Sequence, residues 1–94
     1  MKEELLQIMG HFGEKAQREY LAREYQELQD EIYKLLNGEE ENILTEITDV
    51  LVITLQFMAK AGYDFELLEE NIKRELNFKI NRTLERIESG YYEK

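Results

Sequence analysis

The stretch that decides the fold is Asn42–Met58, NILTEITDVLVITLQFM. At about 100° per residue, Leu44, Ile47, Leu51, Leu55 and Met58 fall on one apolar stripe, so the spacing predicts a helix. This helix is apolar almost all round, yet it contains two acids, Glu46 and Asp49. Residues three apart share a helix face, and further along the face of Glu46 and Asp49 come Ile53 and Phe57. A side that runs Glu, Asp, Ile, Phe is not an ordinary solvent face. The two carboxylates are expected to point into an interior or a cleft, where a bare charge is costly unless it is paired or holds a metal.

Going outward, Gly62 is the natural end of this helix, and Glu39, Glu40 and Glu41 form a charged turn before it that suits its positive N-terminus. Upstream, a long helix is expected from about Glu14 to Asn37, with Gly38 as its C′ residue. Leu21, Tyr25, Leu28, Ile32, Leu35 and Leu36 are its expected apolar face, and Tyr20, Glu24, Glu27 and Glu31 lie beside that face on one edge. Lys2–Met9 is expected as a short amphipathic helix, with a break at Gly10–Gly13 around His11 and Phe12. His11 reads as a surface or turn residue. Downstream, Asp64 is the expected N-cap of a last helix from about Phe65 to Ser89, ended by Gly90. Its seam is Phe65, Leu68, Ile72, Leu76, Ile80, Leu84 and Ile87, and it carries Lys73, Arg74, Lys79, Arg82 and Arg86.

No proline interrupts any of these segments, and 35% of residues are charged, mostly good helix formers, so the expected class is all-α. The expected architecture is an antiparallel helical hairpin plus a further helix. The central helix has more apolar surface than two neighbours can cover, which predicts a homo-oligomer built on it. The net charge of −9 argues against nucleic-acid polymers and anionic membranes as partners and favours cations. There is no cysteine and one histidine, which disfavours thiolate or imidazole metal sites. The opening MKEELLQIMG has glutamates where a signal peptide is apolar, and Val50–Ala59 is too short to span a bilayer, so a soluble, cytoplasmic protein is expected.

The two acidic pairs, Glu24 with Glu27 and Glu46 with Asp49, each have i, i+3 spacing on consecutive helices joined by a short turn. Antiparallel packing would bring four carboxylates into one small volume, and like charges that close do not all stay ionised without a cation. Oxygen-only ligands select hard cations, Mg²⁺, Mn²⁺ or Ca²⁺, and Mg²⁺ on a few carboxylates suits phosphoryl chemistry. The competing reading is ion pairing of these acids with Lys or Arg from a neighbouring helix.

Read together, EYQEL (Glu24–Leu28), a helix ending LLNG, and EITD (Glu46–Asp49) resemble the E-x-x-E followed by E-x-x-D signature of MazG-like all-α nucleotide pyrophosphohydrolases. The tail KINRTLERIESG, Lys79–Gly90, is similar to the basic final helix of small members. One departure is that Arg23 stands before Glu24, where family members often have a second acid. A register one turn along, Glu27 with Asp30 or Glu31, is the alternative, but Glu24 and Glu27 better fit the distance to the Gly38 turn. The resemblance implies a single MazG-like helical domain over 1–94 that forms dimers or tetramers. It implies hydrolysis of nucleoside or deoxynucleoside triphosphates to monophosphate and pyrophosphate, with Glu24, Glu27, Glu46 and Asp49 as Mg²⁺ ligands. In that scheme a free carboxylate of the four, or Glu31, takes a proton from water. Lys79, Arg82 and, more weakly, Lys34 are candidates for phosphate oxygens, and Tyr20, Phe57 and Phe12 for the base. A phosphoribosyl-ATP pyrophosphohydrolase, a dimeric dUTPase and a non-enzymatic oligomeric helical interaction protein are the alternatives.

Overall fold

Two amphipathic helices joined by a glycine turn organise the N-terminal part of the chain. In the computed structural model, which describes residues 1–93, four helices form in order: α1 (Lys2–Phe12), α2 (Glu14–Leu36), α3 (Ile43–Lys60) and α4 (Leu68–Glu88). The chain divides into two compact units, Met1–Tyr63 and Asp64–Lys94. The expected all-α class holds among the described residues. Within the Met1–Tyr63 unit, the helix packed with the α2–α3 hairpin is α1.

Helix α2 stops where glycine lets it. Gly38 has φ 72°, a conformation other residues adopt only with strain. It lets the Gly38 N–H reach the Leu35 carbonyl and the Glu39 N–H reach that of Lys34, the paired bonds of a Schellman cap. Gly62 closes α3 the same way, with Gly62 bonding back to Ala59 and Tyr63 to Met58. Gly10 is helical, so α1 continues past the expected break and stops at Gly13 (φ 89°). That extension matters for packing, since α1 contributes Leu5 and Met9 to the core.

The α2–α3 pairing is antiparallel and advances in steps of seven. Gln17 Nε2 donates to Gln56 Oε1 at 2.8 Å. Seven residues on along α2 and seven back along α3, Glu24 lies beside Asp49. Seven further each way, Glu31 accepts the Asn42 N–H at 2.9 Å. Beyond the first pair, Glu14 and Lys60 form an exposed ion pair at 2.7 Å. A seven-residue repeat keeps one seam of each helix facing the other, and this seam carries a polar pairing at every repeat. Around it lie the buried apolar residues Val50, Ile53 and Ala59 of α3 with Leu5 and Met9 of α1.

The inward side of α3 is the side of Glu46, Asp49, Ile53 and Phe57. The regular apolar stripe lies largely on the other side: Leu44 is 80% exposed, Ile47 and Leu51 are exposed, and Leu55 and Met58 are half-buried. On α2 the expected apolar face is only partly inward. Leu21 and Leu28 are half-buried, whereas Tyr25, Ile32, Leu35 and Leu36 are exposed. The fully buried residues of α2 are polar, Gln17 and Glu31.

In the C-terminal unit, Asp64 Oδ1 accepts the Glu66 N–H at 2.9 Å in a turn, and α4 begins at Leu68, later than expected. The Asp64 carboxylate therefore closes a turn ahead of the helix rather than capping it. No residue of α4 is buried, and Leu76, Phe78, Ile80, Leu84 and Ile87 all stand exposed. No described helix is long and apolar enough to cross a membrane.

The buried glutamine pair carries a testable expectation. Gln56 is only 1% exposed, so Gln17→Ala leaves a buried amide without its partner. Urea unfolding should show a loss of about 1–3 kcal/mol for that single change. The double replacement Gln17→Leu with Gln56→Leu should recover much of it, because no polar group is then stranded.

Candidate metal centre

The acids that the sequence places on the α2–α3 seam meet there. Glu24, Glu46 and Asp49 each offer a carboxylate oxygen, and the three atoms lie within 4.8 Å of one another. Glu24 and Glu46 are half-buried and Asp49 is exposed, so the cluster sits at the lip of the seam. Glu27, one turn on from Glu24, is exposed and outside this tight set. It is close enough that its carboxylate bears on both Glu24 and Glu46.

Two oxygens of the cluster, Glu24 Oε2 and Glu46 Oε2, are buried with no hydrogen-bond partner. Among the described residues no Lys or Arg forms an ion pair with Glu24, Glu27, Glu46 or Asp49. The ion-pair reading of these acids therefore finds no support in the geometry. The carboxyl of Glu24 is held above its ordinary value of 4.5, first by burial, then by its contact with Glu27 and by the charges of Glu27, Asp49 and Glu46. Glu46 is raised first by burial, then by the charges of Glu27 and Asp49, the contact with Glu27 and the charge of Glu31. An oxygen-only set with two buried, unpartnered carboxylate oxygens fits a hard divalent cation such as Mg²⁺ or Mn²⁺. Glu24, Glu46 and Asp49 would hold it, with Glu27 at its edge.

Glu31 is used differently. It is 6% exposed, and both its oxygens are engaged: Oε1 by the Asn42 N–H at 2.9 Å, Oε2 by Lys34 Nζ at 2.7 Å. The Lys34 hydrogen bond outweighs burial and, with the Asn42 N–H, holds the Glu31 carboxyl below its ordinary range. Lys34 is raised in turn, chiefly by its hydrogen bond to Glu31. Both Glu31 oxygens are thus occupied by partners within the fold. Lys34 does border the acids, since a shallow groove is lined by Glu27, Asp30, Glu31, Lys34, Asn42 and Glu46.

The remaining candidates fall in three places. Tyr20 is exposed one turn before Glu24, with its ring edge-on to Phe12 at 6.4 Å and the Arg23 guanidinium 4.5 Å from its centre. Phe57 is half-buried on the inward side of α3. Lys79 and Arg82 belong to the C-terminal unit, where both are exposed and the Arg82 guanidinium lies 5.5 Å from the Phe78 ring. Two features had no place in the sequence reading, the Gln17–Gln56 pair and the capping of Asn42 by Glu31. Their one signal was polar residues at 17, 24 and 31, spaced by seven on a helix.

No family model matches this chain, no curated protein matches it, and no solved structure matches it.

The raised carboxyls set a pH dependence. A carboxyl whose folded pKa is raised stabilises the fold below its unfolded value and loses that contribution as pH rises through the folded value. Glu31, lowered, does the reverse: its contribution is present above the unfolded value and is lost as pH falls through the folded one. Without metal, the melting temperature should rise as pH falls from neutral toward the carboxylate range, then drop as Glu31 protonates. Glu24→Gln should flatten the first limb, and Mg²⁺ at neutral pH should raise the melting temperature of the native chain but not of that variant.

Proposed function

We propose that this chain is a Mg²⁺-dependent nucleoside or deoxynucleoside triphosphate pyrophosphohydrolase of the MazG-like type. The observation that carries the reading is the pair of unpartnered buried oxygens, Glu24 Oε2 and Glu46 Oε2, beside Asp49. The order and spacing of EYQE and EITD support it.

In this reading Glu24, Glu46 and Asp49 hold the cation, with Mn²⁺ as a substitute for Mg²⁺. When bound, the ion neutralises triphosphate charge and acidifies the attacking water. Water attacks the α-phosphorus, the bond from that phosphorus to the bridging oxygen breaks, and monophosphate and pyrophosphate leave. Glu27, exposed and adjacent to the cluster, takes the proton from that water. Lys34, at the rim of the acidic groove, has ammonium hydrogens beyond the one shared with Glu31 and contacts a phosphate oxygen. Tyr20, on the same face of α2 one turn away, offers a ring for the base.

The active form in this reading is a homo-oligomer that covers the exposed Leu44, Ile47 and Leu51 of α3. The same stripe favours the second reading, an oligomeric helical protein without enzymatic activity. The two part on chemistry. The test is to incubate the chain with the common NTPs and dNTPs and dUTP, with Mg²⁺ or EDTA, and to resolve the products by ion exchange. Monophosphate and pyrophosphate formed only with metal are expected. Diphosphate and phosphate, or no product, would sink the pyrophosphohydrolase reading.

Glu46→Gln and Asp49→Asn should each reduce turnover by more than the roughly tenfold to hundredfold that follows loss of an outer partner of a metal ligand. Both should melt at or above the temperature of the metal-free native chain, since each relieves like-charge repulsion. Marked unfolding of Asp49→Asn would instead indicate a structural role for the carboxylate.

A further inference from the structure

We propose that Glu31 is the positioning residue of the acidic cluster, fixing the start of α3 so that Glu46 and Asp49 meet Glu24; this rests on the metal-centre reading above. The connection is direct. Glu31 Oε1 accepts the Asn42 N–H at 2.9 Å, and the Asn42 carbonyl accepts the Glu46 N–H at 3.0 Å. One residue thus lies between the Glu31 carboxylate on α2 and the backbone that carries Glu46 on α3. On α2, Glu31 follows Glu24 by seven residues, and on α3, Asn42 precedes Asp49 by seven, so the clamp lies one repeat from the cluster on both helices.

Capping alone does not account for this contact. The next amide of α3, that of Ile43, is met locally by Glu41 Oε2 at 2.6 Å, two residues away, with no contribution from α2. A local acceptor of that kind satisfies a helix terminus anywhere. Glu31 reaches instead across the turn from eleven residues upstream, while 6% exposed. It also places another negative charge near Glu46, which is unfavourable for a purely structural contact. Lys34 offsets the charge at 2.7 Å from Oε2 and keeps Oε1 aimed at Asn42. What the arrangement secures is axial register, as a polar residue in a helical seam does. At the other side of the cluster the Gln17–Gln56 pair holds the same register.

The test uses the full chain and Mn²⁺ alone as the probe, with affinity read from electron paramagnetic resonance and melting temperature measured in parallel. Glu31→Ala should weaken Mn²⁺ binding about tenfold or more, the range for residues that orient metal ligands. Glu31→Gln keeps an oxygen for the Asn42 N–H but loses the ion pair, and should lie between Glu31→Ala and the native chain. Met9→Ala, a core truncation in α1, should lower the melting temperature and leave Mn²⁺ affinity unchanged.

Native affinity in Glu31→Ala overturns the proposal. So does a loss of affinity in Met9→Ala that parallels its own loss of stability as Glu31→Ala does. Glu31→Gln that binds Mn²⁺ as the native chain does but no longer turns over triphosphate would make Glu31 a proton-transfer group instead. Should Glu31→Ala fail to fold, native Mn²⁺ affinity in Glu31→Gln overturns the proposal. If the native chain itself does not bind Mn²⁺, or Asp49→Asn binds it equally well, the metal-centre reading fails and the positioning role fails with it.

Discussion

The antiparallel register of α2 on α3 is the constraint on which the rest of the N-terminal unit depends. Its pairings recur every seven residues and all involve polar groups: an amide pair, a carboxylate cluster, and a carboxylate on a backbone N–H. An apolar seam tolerates sliding, since one leucine packs against another nearly as well a turn away. A polar seam does not, because each displaced group is buried without a partner. The apolar contacts of α1 with this pair, through Leu5 and Met9, supply burial without that selectivity.

Charge is distributed unevenly along the seam. At Glu31 the negative charge is compensated by a cation and an amide, and its carboxyl is held low. At Glu24 and Glu46 it is compensated by neither, and both carboxyls are held high. Residues of one type on one helix pair are thus driven in opposite directions by their surroundings alone. The uncompensated end is where a cation has the most to gain, and a folded chain that keeps such a region without neutralising it has given up stability there.

Much of this was legible beforehand. Glu46 and Asp49 share a side with Ile53 and Phe57, and a mixed acidic and apolar face predicted inward carboxylates; Ile53 is buried and Glu46 half-buried. Gly38, Gly62 and Gly90 end their helices as composition suggested, each with φ above 70°. The misreadings have physical causes. Hydropathy spacing on α2 marks Tyr25, Ile32 and Leu36 as part of an apolar face, and these three are exposed, because periodicity identifies such a face and does not say what covers it. Gly10 reads as a break because glycine disfavours helix by about 1 kcal/mol, which the packing of Leu5 and Met9 in one continuous α1 overrides. Glu31 looked like one more acid on an acidic edge, since its partner is a backbone amide and backbone amides are invisible in side-chain patterns.

The absence of any buried residue in α4 has a consequence for how unfolding is measured. An isolated helix of its length is marginal in water, because nucleation is unfavourable and no burial offsets it. Amide hydrogens in α4 should therefore exchange through local opening of that helix.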